Sequence, residues 1–191
     1  MADKVIPIEL DEDFRQRATL GFDRRGFIEP PVESHVVLLI HGIRTRAEWQ
    51  TSVKTALEDE GLTAAIPLGY DYLDLLNFWC PLTRRYPIRR LHKKIAEAMR
   101  HYPDARLSAI AHSFGTYSLA TLLSDFANIR LQRLILCGSV LPLDFQWWHL
   151  GLPHKVLNEC GRKDVWPVMA TRATWGYGPA GTFGFRSALM N

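Results

Sequence analysis

"LSAIAHSFGTYSLA", residues 107 to 120, decides how this chain is read. Its first half is an apolar run ending in Ala111-His112-Ser113, and from Phe114 the apolar positions recur at helical spacing. A serine therefore stands at the corner between a strand and a helix. Small residues lie two positions to either side, Ala111 and Gly115. Such a corner is tight, so its neighbours must be small. The hydroxyl then projects above the strand end, over the helix N-terminus. A serine hydroxyl is a poor nucleophile until a base takes its proton and donors hold the resulting oxyanion. The plainer alternative for Ser113 is a helix N-cap, a position serine favours.

Outward from this corner the chain alternates strands and helices. "HVVLLIHG", from His35, is a continuous aliphatic run ended by glycine, the mark of a strand buried on both faces. "RAEWQTSVKTALEDEG" reads as a helix, and "LTAAIPLGY" as a weaker strand because of Pro67. "IRRLHKKIAEAMRHYP" is an amphipathic helix with Pro87 near its first turn. "LQRLILCGS" and "KVLNECGRKD" supply two further strands. The tail from Trp166 is glycine-rich and mostly without period. Residues 1–34 are polar and irregular, an N-terminal arm with a short helix near Asp11 to Leu20; residues 35–191 form the domain. The expected fold class is α/β, a mostly parallel sheet of five to six strands with helices on both faces. Ligands of such sheets bind at the carboxyl ends of the strands. "HGIRT", "AHSFG" and "NECGRKD" all fall there.

Composition narrows the function less. The chain has 191 residues, 47% apolar and 23% charged, with a net charge of +3. These values suit one ordinary globular domain and argue against a nucleic-acid partner. The basic residues do cluster in "RRYPIRRLHKK", Arg84 to Lys94: a solvated helix face, or a patch for an acidic partner or an anionic membrane surface. Three widely spaced cysteines, Cys80, Cys137 and Cys160, suggest neither a disulfide framework nor a metal site. With no signal core and no apolar span, a cytoplasmic location is the default expectation.

With "VVLLIHG", "AHSFG", this strand order and the late "RKD", the sequence resembles the α/β-hydrolase fold proteins from His35 to Asp164. The resemblance implies a minimal or truncated version of that fold. Ala111 stands where the first glycine of the elbow is usual. His41 and Gly42 form a structural turn after the first strand. The resemblance assigns the oxyanion donors to the backbone N–H groups of Ile43 and Phe114, and the nucleophile to Ser113. The acid falls on Asp164 after the fifth strand, with Asp144 after the fourth as the alternative.

The base departs from the pattern. The family carries its histidine downstream of the acid, and none of the seven histidines here follows His154. His35 lies at the wrong end of the sheet, and His41 belongs to the oxyanion segment. His92 and His101 ride on the basic helix. His112 adjoins Ser113, and side chains adjacent on a strand diverge. His149 is the candidate base within the chain. Three explanations stay open: a fragment or natural truncation, which is preferred here; a non-standard base; or a degenerate fold that binds without turnover.

The expected function is a serine hydrolase of esterase or lipase type, acting on an ester-like acyl bond in a small-molecule or lipid substrate, in a truncated or weakly active form. The alternative is a catalytically degenerate binding or regulatory module. Neither needs a metal or cofactor, and the oligomeric state is not readable. Trp79, Trp147 and Trp148 either line an apolar mouth or pack over sheet edges. Arg44 and Arg46 either meet an anionic substrate or are solvated.

Overall fold

A computed structural model describes residues 34–42, 48–61, 64–69, 80, 82–147, 155–161 and 176–186. They belong to the second of two compact units, Ser34–Asn191; the first, Met1–Glu33, lies outside the described residues, as does the short helix expected near Asp11. The elements in order are β1 (His35–Ile40), α1 (Glu48–Asp59), β2 (Ala64–Leu68), α2 (Arg85–His101), β3 (Arg106–His112), α3 (Phe114–Asp125), β4 (Arg133–Cys137), β5 (Lys155–Glu159) and the short α4 (Ala180–Phe183).

The five strands form one sheet in the order β2-β1-β3-β4-β5, and every pairing is parallel. The alternation of β1 explains the two layers around it. Val36, Leu38 and Ile40 enter the main core with Ile88, Leu91 and Ile95 of α2 and Leu119 and Leu122 of α3. Val37 and Leu39 face the other way, with Ala65, toward Trp49, Val53 and Leu57 of α1. Helices thus cover both faces, as a parallel sheet requires. In α2 the buried residues Ile88, Leu91, Ile95 and Ala98 follow helical spacing.

Two prolines fit without breaking their elements. Pro67 pairs with Leu39 from an edge strand, whose outer side needs no ladder hydrogen bond. Pro87 lies in the first turn of α2, where backbone N–H groups have no helical acceptor. The buried Gln50 ties α1 to the sheet by donating to Leu39 O at 2.6 Å and Leu68 O at 3.5 Å.

Residues 176–186 carry the short α4 and no strand. They lie along the loop after β4, with Gly178 N donating to Val140 O (2.9 Å), Gly181 N to Ser139 O (2.7 Å) and Ala180 N to Leu141 O (3.1 Å). The glycines permit this approach. A Cβ at Gly178 would stand 2.3 Å from Pro142 Cα, and one at Gly181 2.2 Å from Ser139 N. The tail glycines read as aperiodic because they serve a backbone contact rather than a periodic element. Trp147 is a packing residue, with its ring edge-on to Phe145 and Phe185. Trp79 and Trp148 lie outside the described residues.

Candidate active site

The strand order reverses direction at one place. From β1 the chain moves out to β2, then returns across β1 to β3. The crevice at such a switch point lies at the carboxyl ends of the two central strands. Here those ends are His41-Gly42 and His112-Ser113, brought together by the register Ile40↔Ala111.

Ser113 has φ 53° and ψ −125°, and among the described residues it is the one non-glycine with positive φ. Holding a non-glycine residue there costs about 1–3 kcal/mol and persists only where the surroundings over-determine it. They do. Ser113 N donates to Cys137 O of β4 at 3.0 Å. Its carbonyl oxygen accepts from Thr116 N (2.9 Å) and Thr116 Oγ1 (2.6 Å). Thr116 is fully buried, and its hydroxyl also accepts from Val140 N at 3.2 Å. The sequence reading missed Thr116. A threonine three residues after the serine is visible as a spacing, but the carbonyl it holds is not.

This geometry is not that of a capping serine. A capping serine has extended φ/ψ, and its side-chain oxygen accepts from the first helical turn. Ser113 has left-handed φ and makes no side-chain capping bond. Its neighbours are small for a stated reason. A Cβ at Gly42 would stand 2.7 Å from Ser113 Cβ and 3.1 Å from Ser113 Oγ. One at Gly115 would stand 2.9 Å from both Ile40 Cγ2 and Ile40 O. Ala111 is fully buried between the β1 and β4 strands.

Phe114 begins α3 and is buried among Tyr117, Tyr177 and Val140. Its ring stacks on Tyr117 at 5.9 Å and meets Tyr177 edge-on at 6.3 Å. The buried Arg84 guanidinium lies 4.1 Å from the Tyr177 ring centroid and 5.7 Å from that of Tyr117. Burial pushes the Tyr177 phenol well above its ordinary range, opposed by the nearby Arg84 charge and its hydrogen bond. Sequence reading missed this cluster as well, because its members are scattered over four segments.

The described histidines go elsewhere. His35 bonds to Ser108 Oγ (2.8 Å) at the amino end of the sheet, where burial, then Arg133 and Arg106, lower its pKa. The His41 ring bonds to Gly42 O and lies over Gly69, at the end of β2. His112 packs toward Trp49 of α1, with ring centroids 6.2 Å apart. His92 stacks on Phe126 (3.9 Å), and His101 meets Tyr102. Among the described residues no histidine is hydrogen-bonded to Ser113 Oγ. Asp144 is exposed in the turn after β4. Ile43, Arg44, Arg46, His149 and Asp164 lie outside the described residues. The three cysteines are free thiols, and burial, then Glu159, raise Cys137 to about 11. Among the described residues no group of three or more histidine, cysteine or carboxylate side chains is placed to hold a metal ion.

No family model matches the chain, and no curated protein sequence does. Solved structures do. One is a highly thermostable carboxyl esterase from Bacillus coagulans in complex with glycerol, with 14% identity and a TM-score of 0.44 over 58% of this chain. The match spans 37% of the esterase's length. Another is TT1662 from Thermus thermophilus, with 11% identity and a TM-score of 0.49, covering 84% of this chain and 79% of that one. The five-stranded all-parallel sheet with helices on both faces has the arrangement of a minimal α/β-hydrolase-like fold.

Proposed function

We propose that the chain is a serine hydrolase of the α/β-hydrolase type, acting on an ester-like acyl bond of a small molecule or lipid. The observation that carries this reading is the backbone of Ser113, held at φ 53° against the open space left by Gly42. No capping role explains that strain, whereas nucleophilic attack requires the projecting hydroxyl it produces.

In this mechanism Ser113 Oγ attacks the acyl carbonyl carbon while its proton passes to a base. The carbonyl π-electrons move onto oxygen, and the N–H groups of Phe114 and Ile43 hold that oxyanion. Collapse expels the alcohol, which takes the proton back from the base. Water then repeats the sequence on the acyl-serine and releases the acid. Asp164 orients the base, and His149 is the histidine proposed for it.

A second reading is a binding module without turnover. Labelling with a fluorophosphonate probe separates the two. The hydrolase reading expects labelling that disappears in Ser113→Ala and falls steeply in His149→Ala. A folded native chain that does not label would sink the reading of this chain as an active hydrolase.

A further inference from the structure

Helix α2 carries a charge arrangement that its own helix opposes. Arg85, Arg89 and Lys93 follow one another at four-residue spacing, all exposed, with Arg90 and Lys94 beside them. Like charges at that spacing repel. The first turn holds no acidic residue, so cations crowd the positive end of the helix dipole. Glu97 is the one carboxylate in the helix. Among the described residues Arg85, Arg89 and Lys93 have no ion-pair partner, whereas Lys54 and Glu58 on α1 form a salt bridge.

Two large apolar side chains stand among these cations. Leu82, in the turn leading into α2, is 86% exposed, and Tyr86 is 59% exposed. Arg85, Arg89 and Lys93 at four-residue spacing, with Tyr86 beside them, form one stripe of α2, and Leu82 stands in the turn just before it. The stripe sits at a defined height. Lys94 Nζ donates to Gly69 O, just past the end of β2, and Arg85 lies nine residues nearer the helix N-terminus. The first turns of α2 therefore project at the carboxyl pole of the sheet, the pole that carries Ser113.

We propose that this stripe docks the protein on an anionic phospholipid surface. Arg85, Arg89 and Lys93 meet the headgroups, and Leu82 and Tyr86 enter the interfacial layer. A purely ionic partner, such as an acidic peptide or a nucleic acid, matches the cations but gives Leu82 nothing. A bilayer interface matches both, and tyrosine is enriched there. No described helix is long and apolar enough to cross a membrane, so the contact is peripheral. The proposal does not depend on Ser113 chemistry.

The test is sedimentation of the purified full chain with vesicles of phosphatidylcholine, alone or mixed with phosphatidylserine. Binding is expected to the mixed vesicles only and to weaken with salt. Each headgroup-facing cation contributes about five-fold to partitioning. The combined Arg85→Glu, Arg89→Glu, Lys93→Glu variant should therefore lose at least on the order of a hundred-fold. Leu82→Asp should also bind less. The control reverses three cations at the amino pole, Arg130, Arg133 and Lys155, and should bind as the native chain does. Circular dichroism confirms that each variant is folded, and the composition and salt dependence of the native chain do not require any variant to fold. Equal losses in the two triple variants would show a net-charge effect and overturn the assignment. So would native binding indifferent to phosphatidylserine, or binding to single-stranded DNA or polyglutamate without binding to vesicles.

Discussion

Gly42→Ala is the substitution whose consequence the structure fixes most closely. The new methyl group would stand 2.7 Å from Ser113 Cβ, about 1 Å short of ordinary carbon contact. Neither side yields easily. Ser113 is tied through its N–H to Cys137 O and through its carbonyl to Thr116. Gly42 is buried directly after the fully buried Ile40 and the His41 that bonds to its carbonyl. Overpacking of this kind destabilises by about 1–3 kcal/mol. A displacement of about 1 Å at a reacting group lowers rate by about a hundred-fold. The measurements are the urea midpoint, expected to fall by about 1 M for a 2 kcal/mol loss, and the rate of fluorophosphonate labelling. Gly61→Ala is the control. Gly61, unlike Gly42, has positive φ (83°), and a Cβ there meets nothing within 4 Å. It should lose about 1 kcal/mol from backbone strain alone and label at the native rate. A Gly42→Ala protein with native stability and native labelling would refute the account of why that position is glycine.

Other outcomes follow from neighbouring contacts. Ser113→Gly should raise stability by about 1 kcal/mol or more, because glycine accepts the left-handed φ without strain, while abolishing labelling; thermal melts read the first effect. Thr116→Val removes the hydroxyl that serves Ser113 O and Val140 N and should destabilise by about 1–3 kcal/mol with slower labelling. Arg84→Met should cost about 2 kcal/mol and speed hydrogen exchange at the Gly178 and Gly181 amides, because Tyr177 of the tail loses its contact with the Arg84 guanidinium. His35 gives a pH signature. Its folded pKa lies below its ordinary 6.5, so the unfolded chain binds more protons and stability rises with pH. The contribution is present above about pH 6.5 and is lost as pH falls toward the folded pKa; His35→Asn should flatten the slope of the urea midpoint in that window.

The sheet was legible because its strands are short aliphatic runs separated by helical periods. β1 announced its two-sided burial in six consecutive residues, His35–Ile40. The corner at Ser113 was legible for a different reason: Ala111, Gly115 and Gly42 are small at positions where strand and helix sequences otherwise carry bulk. What sequence could not show is contact between distant segments. Thr116 looks like any helical threonine until its partner, the carbonyl of Ser113, is seen. Arg84 looked like part of a solvated basic run, yet its guanidinium lies buried between two tyrosines from α3 and the tail. Within that same run Arg85 and Arg89 are solvated, so one composition signal covered two physical environments.

The tail contact also orders events in time. Phe114 is sealed by Tyr177, 63 positions later in the chain. At ordinary elongation speeds about 3–12 s separate the synthesis of these two residues. During that interval β1 and β3 are already made and α3 is completed, while the aromatic ring beside Ser113 still lacks its cover. The nascent chain therefore carries an uncovered apolar ring at the corner between β3 and α3. Slow translation between Phe114 and Tyr177 would lengthen that exposure, and chaperone capture would concentrate there.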